Sequence, residues 1–317
     1  MPTQSENGIP VIDFSKEEEL KPGSSSWLGI REDIIRALEG TGCFIALVGD
    51  KVPQELRSTM LEAFKELMDF PREAKMKVKS KTKKTLGAYH NATQIHESLA
   101  MDDAADAAEC QKFSNLFWPN GNENFTGSSN EYATQMMNLD WIVTRMIFES
   151  YGVDQYHDTH INTNTHHMSF LKYERSEEIE TDVGVFFHTD KNFTTVLHQV
   201  NDSHGLEVQT KNGDWVLCQP PPSSFTFIAG DILQVWSNDK IQACKHRVTI
   251  SKDTQRFVLA LFLFKSGKCQ TPEELIDEEH PVRYKPIDQS EYFTDFLNNA
   301  RNGGISYTVK DHCGIAV

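Results

Sequence analysis

The six cysteines (Cys43, Cys110, Cys218, Cys244, Cys269 and Cys313) show no C-x-x-C spacing. In a chain of 317 residues such scattered thiols point to a reducing compartment, not a disulfide scaffold. No uncharged apolar run exceeds Phe257–Phe264, far short of the about 20 residues a membrane-spanning helix needs. No basic-then-apolar segment opens the sequence, so no secretory signal is read. The N-x-S/T patterns at Asn91, Asn124, Asn192 and Asn201 are then expected to be chance matches. Cys313 is the fifth residue from the end, one too far for a prenylation box. Positive charge is in short supply: 31 Lys and Arg against 46 Asp and Glu leave a formal −15, which repels phosphate backbones. Nucleic acid and membrane are therefore not expected as partners. Internal repeats are absent as well. What remains is a chain with 38% hydrophobic and 24% charged residues, able to bury a core and expected to be soluble and cytoplasmic.

The first half has helical periodicity. Trp27, Leu28, Ile30, Ile34, Ile35 and Leu38 follow the capping serines Ser24–Ser26. Leu56, Met60, Leu61, Phe64, Leu67 and Met68 line a second helix from about Pro53, and a third runs from about Asn130 to Tyr151. These stripes read as core packing. Short extended pieces lie at Ile9–Phe14 and Cys43–Val48. The basic run Arg72, Lys75, Lys77, Lys79, Lys81, Lys83 and Lys84 reads as a solvated helix end and loop, and residues 85–130 as a partly ordered covering segment. After Tyr151 the pattern turns to strands: 183–188, 194–200, 205–210, 215–218, 225–228, 232–236, 244–250 and 256–264, with a tight hairpin at Asn212-Gly213. The expected fold is mainly β with helices (α+β), a double-stranded β-helix or jelly roll preceded by a helical region and followed by a helix over about 290–301. The expected division places the helical region with its covering segment in 1–150 and the jelly roll in 151–317.

Four side chains stand out. In His188-Thr189-Asp190, extended backbone turns positions i and i+2 to one side, so an imidazole and a carboxylate can converge. His246 follows in Cys244-Lys245-His246-Arg247-Val248. Two histidines and one carboxylate form the triad of non-haem Fe(II) oxygenases, although zinc hydrolases use the same ligand types. Arg256 opens the apolar strand Phe257-Val258-Leu259-Ala260-Leu261-Phe262. An inward arginine there is costly unless an anion meets it, either a bound carboxylate or a core Asp or Glu.

His188-x-Asp190, His246 and Arg256 ten residues further on together resemble the plant 2-oxoglutarate- and Fe(II)-dependent dioxygenases. The resemblance runs along nearly the whole chain, through Ile9–Phe14, Gly42-Cys43-Phe44, Gly205-Leu206-Glu207-Val208-Gln209 with Trp215, and Gly230-Asp231. Lys51-Val52-Pro53, Glu97-Ser98, His188–Asn192 and Asp277–Pro281 are similar to the AOP subgroup, known for glucosinolate side-chain modification. The resemblance implies that His188, Asp190 and His246 bind Fe(2+) and that Arg256 clamps the distal carboxylate of 2-oxoglutarate, with Tyr173 bonding the same group. It implies dioxygen as oxidant, ascorbate as reductant, succinate and CO2 as co-products, and a monomer in plant specialised metabolism. One position departs: Val258 stands where the family usually has serine, so a hydroxyl donor to the co-substrate is missing. A neutral hydrogen bond is worth about 1 kcal/mol, or roughly fivefold in binding.

The expected reaction is hydroxylation of a small, mainly apolar metabolite, with desaturation or demethylation as variants. Tyr89, His96, Phe117, Phe187 and Phe264 are the candidate substrate walls, chosen for their ring character and position. Rival readings are an iron oxidase of the same fold that uses no 2-oxoglutarate and, more distantly, a jelly-roll binding protein.

Overall fold

The computed structural model describes residues 8–16, 20–79, 95–174, 182–301 and 307–316, together with the backbone of 3–4 and 88–90. Three helices carry the apolar stripes. Ser25–Gly40 is capped by Ser24, whose hydroxyl accepts from the Trp27 amide at 3.2 Å. Gln54–Asp69 buries Met60, Ala63, Phe64, Leu67 and Met68 on one face. Glu123–Ser150 starts earlier than its apolar periodicity indicates, because Asn122 caps it by accepting from the Phe125 amide at 2.9 Å.

A nine-stranded sheet is built from both halves of the chain. Its order is Thr3–Gln4, Pro10–Asp13, Cys43–Leu47, Ser224–Ala229, Thr194–Gln199, Arg256–Phe264, Thr165–Tyr173, His96–Asp102 and Ala88–His90. A four-stranded sheet faces it, ordered Trp215–Leu217, Leu206–Gln209, His246–Thr249 and Val183–His188. Period-two alternation divides the labour along the central strand. Phe257, Leu259, Leu261 and Leu263 join the core shared with the helices, where the rings of Phe64 and Phe257 meet at 5.2 Å. Arg256, Val258 and Phe262 face the opposite way, into a cavity closed by Val185, His188, His246 and Val248 of the smaller sheet. This is the expected jelly roll.

Several elements depart from expectation. Residues 232–236 belong to the helix Asp231–Trp236, not a strand; every one of its residues is buried, and a short apolar run does not distinguish the two periods. Thr165–Tyr173 is a strand that the sequence reading passed over, since His166, His167 and Lys172 interrupt its apolar pattern. It pairs with Arg256–Phe264 over its full length. The covering segment contains the strand His96–Asp102 and the helix Ala107–Ser114, the latter capped by Asp106. In the basic run, Lys75 is buried, pairs with Glu97 at 2.5 Å and donates to the Met68 carbonyl at 2.7 Å. Lys81, Lys83 and Lys84 lie outside the described residues. The helix Gln289–Arg301 is present as expected, and a second short helix, Val309–Cys313, follows it. All six cysteines are buried free thiols. No helix among the described residues is long and apolar enough to cross a membrane.

Candidate active site

His188 and His246 are directly opposed across the antiparallel pair Val183–His188 and His246–Thr249, and their rings lie 4.3 Å apart. Asp190 follows where the first of these strands ends; its Oδ1 is 3.7 Å from each Nε2. One ligand atom from each residue lies within 4.8 Å of the other two, close enough to share a metal ion. The imidazoles are oriented alike. His188 Nδ1 donates to the Phe186 carbonyl at 2.8 Å and His246 Nδ1 to the Cys244 carbonyl at 3.1 Å. A carbonyl only accepts, so each Nδ1 carries a proton, and Nε2 is the nitrogen turned to the shared point. Burial, then the neighbouring His246, pushes His188 down to about 4, leaving it neutral near pH 7. Burial pulls Asp190 upward, but the two imidazoles and the Thr195 hydroxyl outweigh it and hold the carboxyl below its ordinary range. Neutral imidazoles and an ionised carboxylate are the states that bind a divalent cation.

Arg256 sits across the cavity, 4% exposed, paired in register with Tyr173, which is in turn paired with His96 on the next strand. Its guanidinium lies 5.2 Å from the Tyr173 ring centre, and its Nε donates to Gln199 Oε1 at 3.3 Å. Among the described residues no carboxylate pairs with it, so the core Asp or Glu considered as an alternative is not found there. Burial pushes the Tyr173 phenol up, against the pull of Arg256. His96 stacks on Tyr173 at 4.7 Å and 9°; burial, then the field of Arg256, pushes it down to about 4. The cavity measures about 140 Å³ and adds the aliphatic walls Leu171, Leu197 and Leu206.

The five wall candidates separate. His96 lines the cavity. Phe117 belongs instead to an aromatic core cluster with Phe70, Phe113 and Trp118. Phe264 packs edge-on to His167 and is not among the cavity-lining residues: alternation gives it the same parity as Arg256, Val258 and Phe262, but along this strand the lining stops at Phe262. Phe187 is 52% exposed beneath the Lys245 ammonium, since a bulge between its strand and His246–Thr249 turns it and Phe186 outward. The side chain of Tyr89 lies outside the described residues. The aliphatic walls, Gln199 and Thr195 were missed. Polar Asn192, Thr194 and Thr195 clustered just after Asp190, at the start of a buried strand, were the available signal for the last.

Residues 164–265 match the 2OG-Fe(II) oxygenase superfamily and residues 9–131 the non-haem dioxygenase in morphine synthesis N-terminal family. A probable 2-oxoglutarate-dependent dioxygenase AOP1.2 of Arabidopsis thaliana is 36% identical over 300 residues, covering 92% of this chain and 90% of that one. The 2-oxoglutarate-dependent dioxygenase AOP3 of the same plant is 27% identical, covering 97% of this chain and 98% of that one. Among solved structures, the rice dioxygenase for auxin oxidation superposes with a TM-score of 0.76 at 26% identity, covering 97% of this chain and 100% of the other. The Arabidopsis thaliana enzyme DAO1, solved with 2-oxoglutarate, gives 0.73 at 26% identity, covering 86% and 99%. With such kinship along nearly its full length, this chain belongs to the Fe(II)- and 2-oxoglutarate-dependent dioxygenases, as an oxidoreductase of the plant AOP-like group.

Proposed function

We propose that His188 Nε2, His246 Nε2 and Asp190 Oδ1 hold the iron, and that Arg256 takes the distal carboxylate of 2-oxoglutarate beside Tyr173. The observation that carries this reading is a buried guanidinium with no carboxylate partner among the described residues, sharing one cavity with the triad. An uncompensated buried cation is costly in a finished fold, and a bound anion removes the cost. Iron, when bound, couples decarboxylation of the keto acid to oxidation of a C–H bond, with dioxygen as oxidant and ascorbate keeping the metal reduced. The chain's own part is to orient: the Nδ1 bonds fix the imidazole planes, Arg256 sets the direction from which the keto-acid end reaches the metal, and Leu171, Val185, Leu197 and Val248 exclude water.

The substrate is a small, mainly apolar specialised metabolite, hydroxylated in the course of the reaction. The aliphatic cavity walls support that class, as does likeness to enzymes named for oxidation of auxin, itself a small molecule. Residues 1–150 contribute helical support and cover, 151–317 the ligands and the carboxylate clamp; the protein acts as a cytoplasmic monomer without nucleic-acid partners. Purified Fe(II)-loaded protein incubated with metabolite extracts should release succinate in proportion to a new product carrying one added oxygen. Loss of two hydrogens or of a methylene would redirect the reaction type, and 2-oxoglutarate-independent turnover would refute the co-substrate assignment. His246→Ala should abolish metal uptake and turnover together, exceeding the about 100-fold loss typical of groups one bond removed from a metal.

A further inference from the structure

The two oxygens of Asp190 are held differently. Oδ1 faces both imidazoles, whereas Oδ2 lies 2.6 Å from the hydroxyl of Thr195. That hydroxyl also lies 2.9 Å from Asn192 Nδ2 and 3.3 Å from Asn192 Oδ1. The orientation of the Asn192 amide is fixed separately, because Nδ2 is 2.6 Å from the Thr194 carbonyl, which can only accept. Asn192 Nδ2 therefore donates to a Thr195 lone pair, and the single hydroxyl proton goes to the nearer and ionised acceptor, Asp190 Oδ2. Thr195 and Asn192 are 0% and 2% exposed, so bulk water does not compete for these bonds.

The loop itself is pinned. The Asp231 amide donates to the Asp190 carbonyl at 2.8 Å and the Ile232 amide to the Asn192 carbonyl at 3.1 Å. A Cβ at Gly230 would collide with that Asn192 carbonyl, so only glycine allows this approach. Lys191 reaches Asp231 Oδ2 at 2.7 Å and the Thr189 carbonyl at 2.9 Å, and Tyr292 donates to the same Asp231 oxygen at 2.7 Å. Backbone drift cannot turn the carboxylate while these bonds hold.

We propose that Thr195, aligned by Asn192, is a positioning residue that keeps Asp190 a one-oxygen ligand; this rests on the triad being the metal site. A carboxylate that swung Oδ2 inward as well would occupy another metal position. The reaction needs the remaining positions open for a chelating keto acid and dioxygen together. Thr195 thus guards the number of open positions as well as the strength of binding.

Thr195→Val keeps the shape and removes the proton, Thr195→Ser keeps the proton, and Thr195→Ala is measured alongside so that one folding failure does not decide the matter. Each folded variant, checked by circular dichroism, is titrated anaerobically with Co(II), whose visible spectrum reports coordination, and then with 2-oxoglutarate. Thr195→Val and Thr195→Ala should bind Co(II) about 10–100-fold more weakly, with altered band intensity and a weaker spectral response to 2-oxoglutarate. Thr195→Ser should track the wild type. The proposal is overturned if the variants lacking the hydroxyl match wild type in affinity and spectrum, or if Thr195→Ser is as damaged as Thr195→Val. Wild-type protein that takes up no Co(II), or His246→Ala protein that binds it undiminished, would sink the metal-site reading and this inference with it.

Discussion

The two sheets meet the same cavity with opposite construction. The smaller one is short and irregular: a bulge separates His246 from Val248, and its edge strand leaves Phe186 79% exposed beside a metal-ligand candidate. The larger one runs in unbroken register from Arg256–Tyr173 to Phe264–Thr165, buried almost throughout. The contrast follows from what each must hold. Three ligand atoms have to converge on a point, and a bulge with a loop can aim them where a regular strand would space them apart. Under the proposed assignments a guanidinium that receives an anion needs low dielectric and rigid walls, which a paired central strand provides. Strength of the proposed anion contact would come from burial, and aim at the proposed metal from irregularity.

Breaking the buried side should have the largest effect. Arg256→Leu should weaken 2-oxoglutarate binding by about 2–5 kcal/mol, roughly 30-fold or more, measured by calorimetry on anaerobic metal-loaded protein. Its stability without co-substrate should hold or rise in urea titration, because an unmatched buried charge is removed. A parallel collapse of unliganded stability would mean that the cation serves the fold instead. A comparable test of rigidity on the larger sheet concerns His198, buried between the Tyr132 hydroxyl and the Ser224 carbonyl at 3.3 and 3.1 Å. Burial pushes it down to about 4. The folded chain then binds fewer protons there than the unfolded chain, so stability should be intact above pH 6.5 and fall as pH drops toward 4. The loss should be on the order of 3 kcal/mol. His198→Gln should flatten that part of the pH–stability curve; an unchanged slope would assign it to other groups. The smallest effect sharpens the comparison: Val258→Ser, beside Arg256 on the cavity wall, should tighten 2-oxoglutarate by about 1 kcal/mol, roughly fivefold. No gain would mean that Gln199 or Tyr173 already fills the missing hydroxyl's role.

What could be read from the sequence tracks how local each signal is. His188, Asp190, His246 and Arg256 stood out because metal and anion chemistry demands particular side chains at set intervals; the structure brings all four to one cavity, and the strands 183–188 and 256–264 matched their expected limits. Thr165–Tyr173 escaped because its polar residues are satisfied by distant partners: His166 meets Asp140 at 3.3 Å, and His167 meets Asp102. Nothing local announces such pairs. Phe117, Phe187 and Phe264 were chosen for ring character near the ligands, yet ring character alone does not say what a residue faces: Phe117 follows a helix into an aromatic core cluster, a bulge turns Phe187 out, and Phe264 lies two residues beyond the last cavity-lining position of its strand. Lys75 likewise looked like surface charge, yet Glu97 meets it from the strand His96–Asp102.

The bond from Tyr292 to Asp231 has a consequence for biosynthesis. Chains emerge from the N-terminal end and fold as they lengthen. The loop holding Asp190 is braced by Lys191 and Asp231, and that brace is finished by a hydroxyl encoded after the last strand of either sheet. A nascent chain can therefore pair both sheets before this anchor is made, so the loop that holds Asp190 tightens only after the strands are in place.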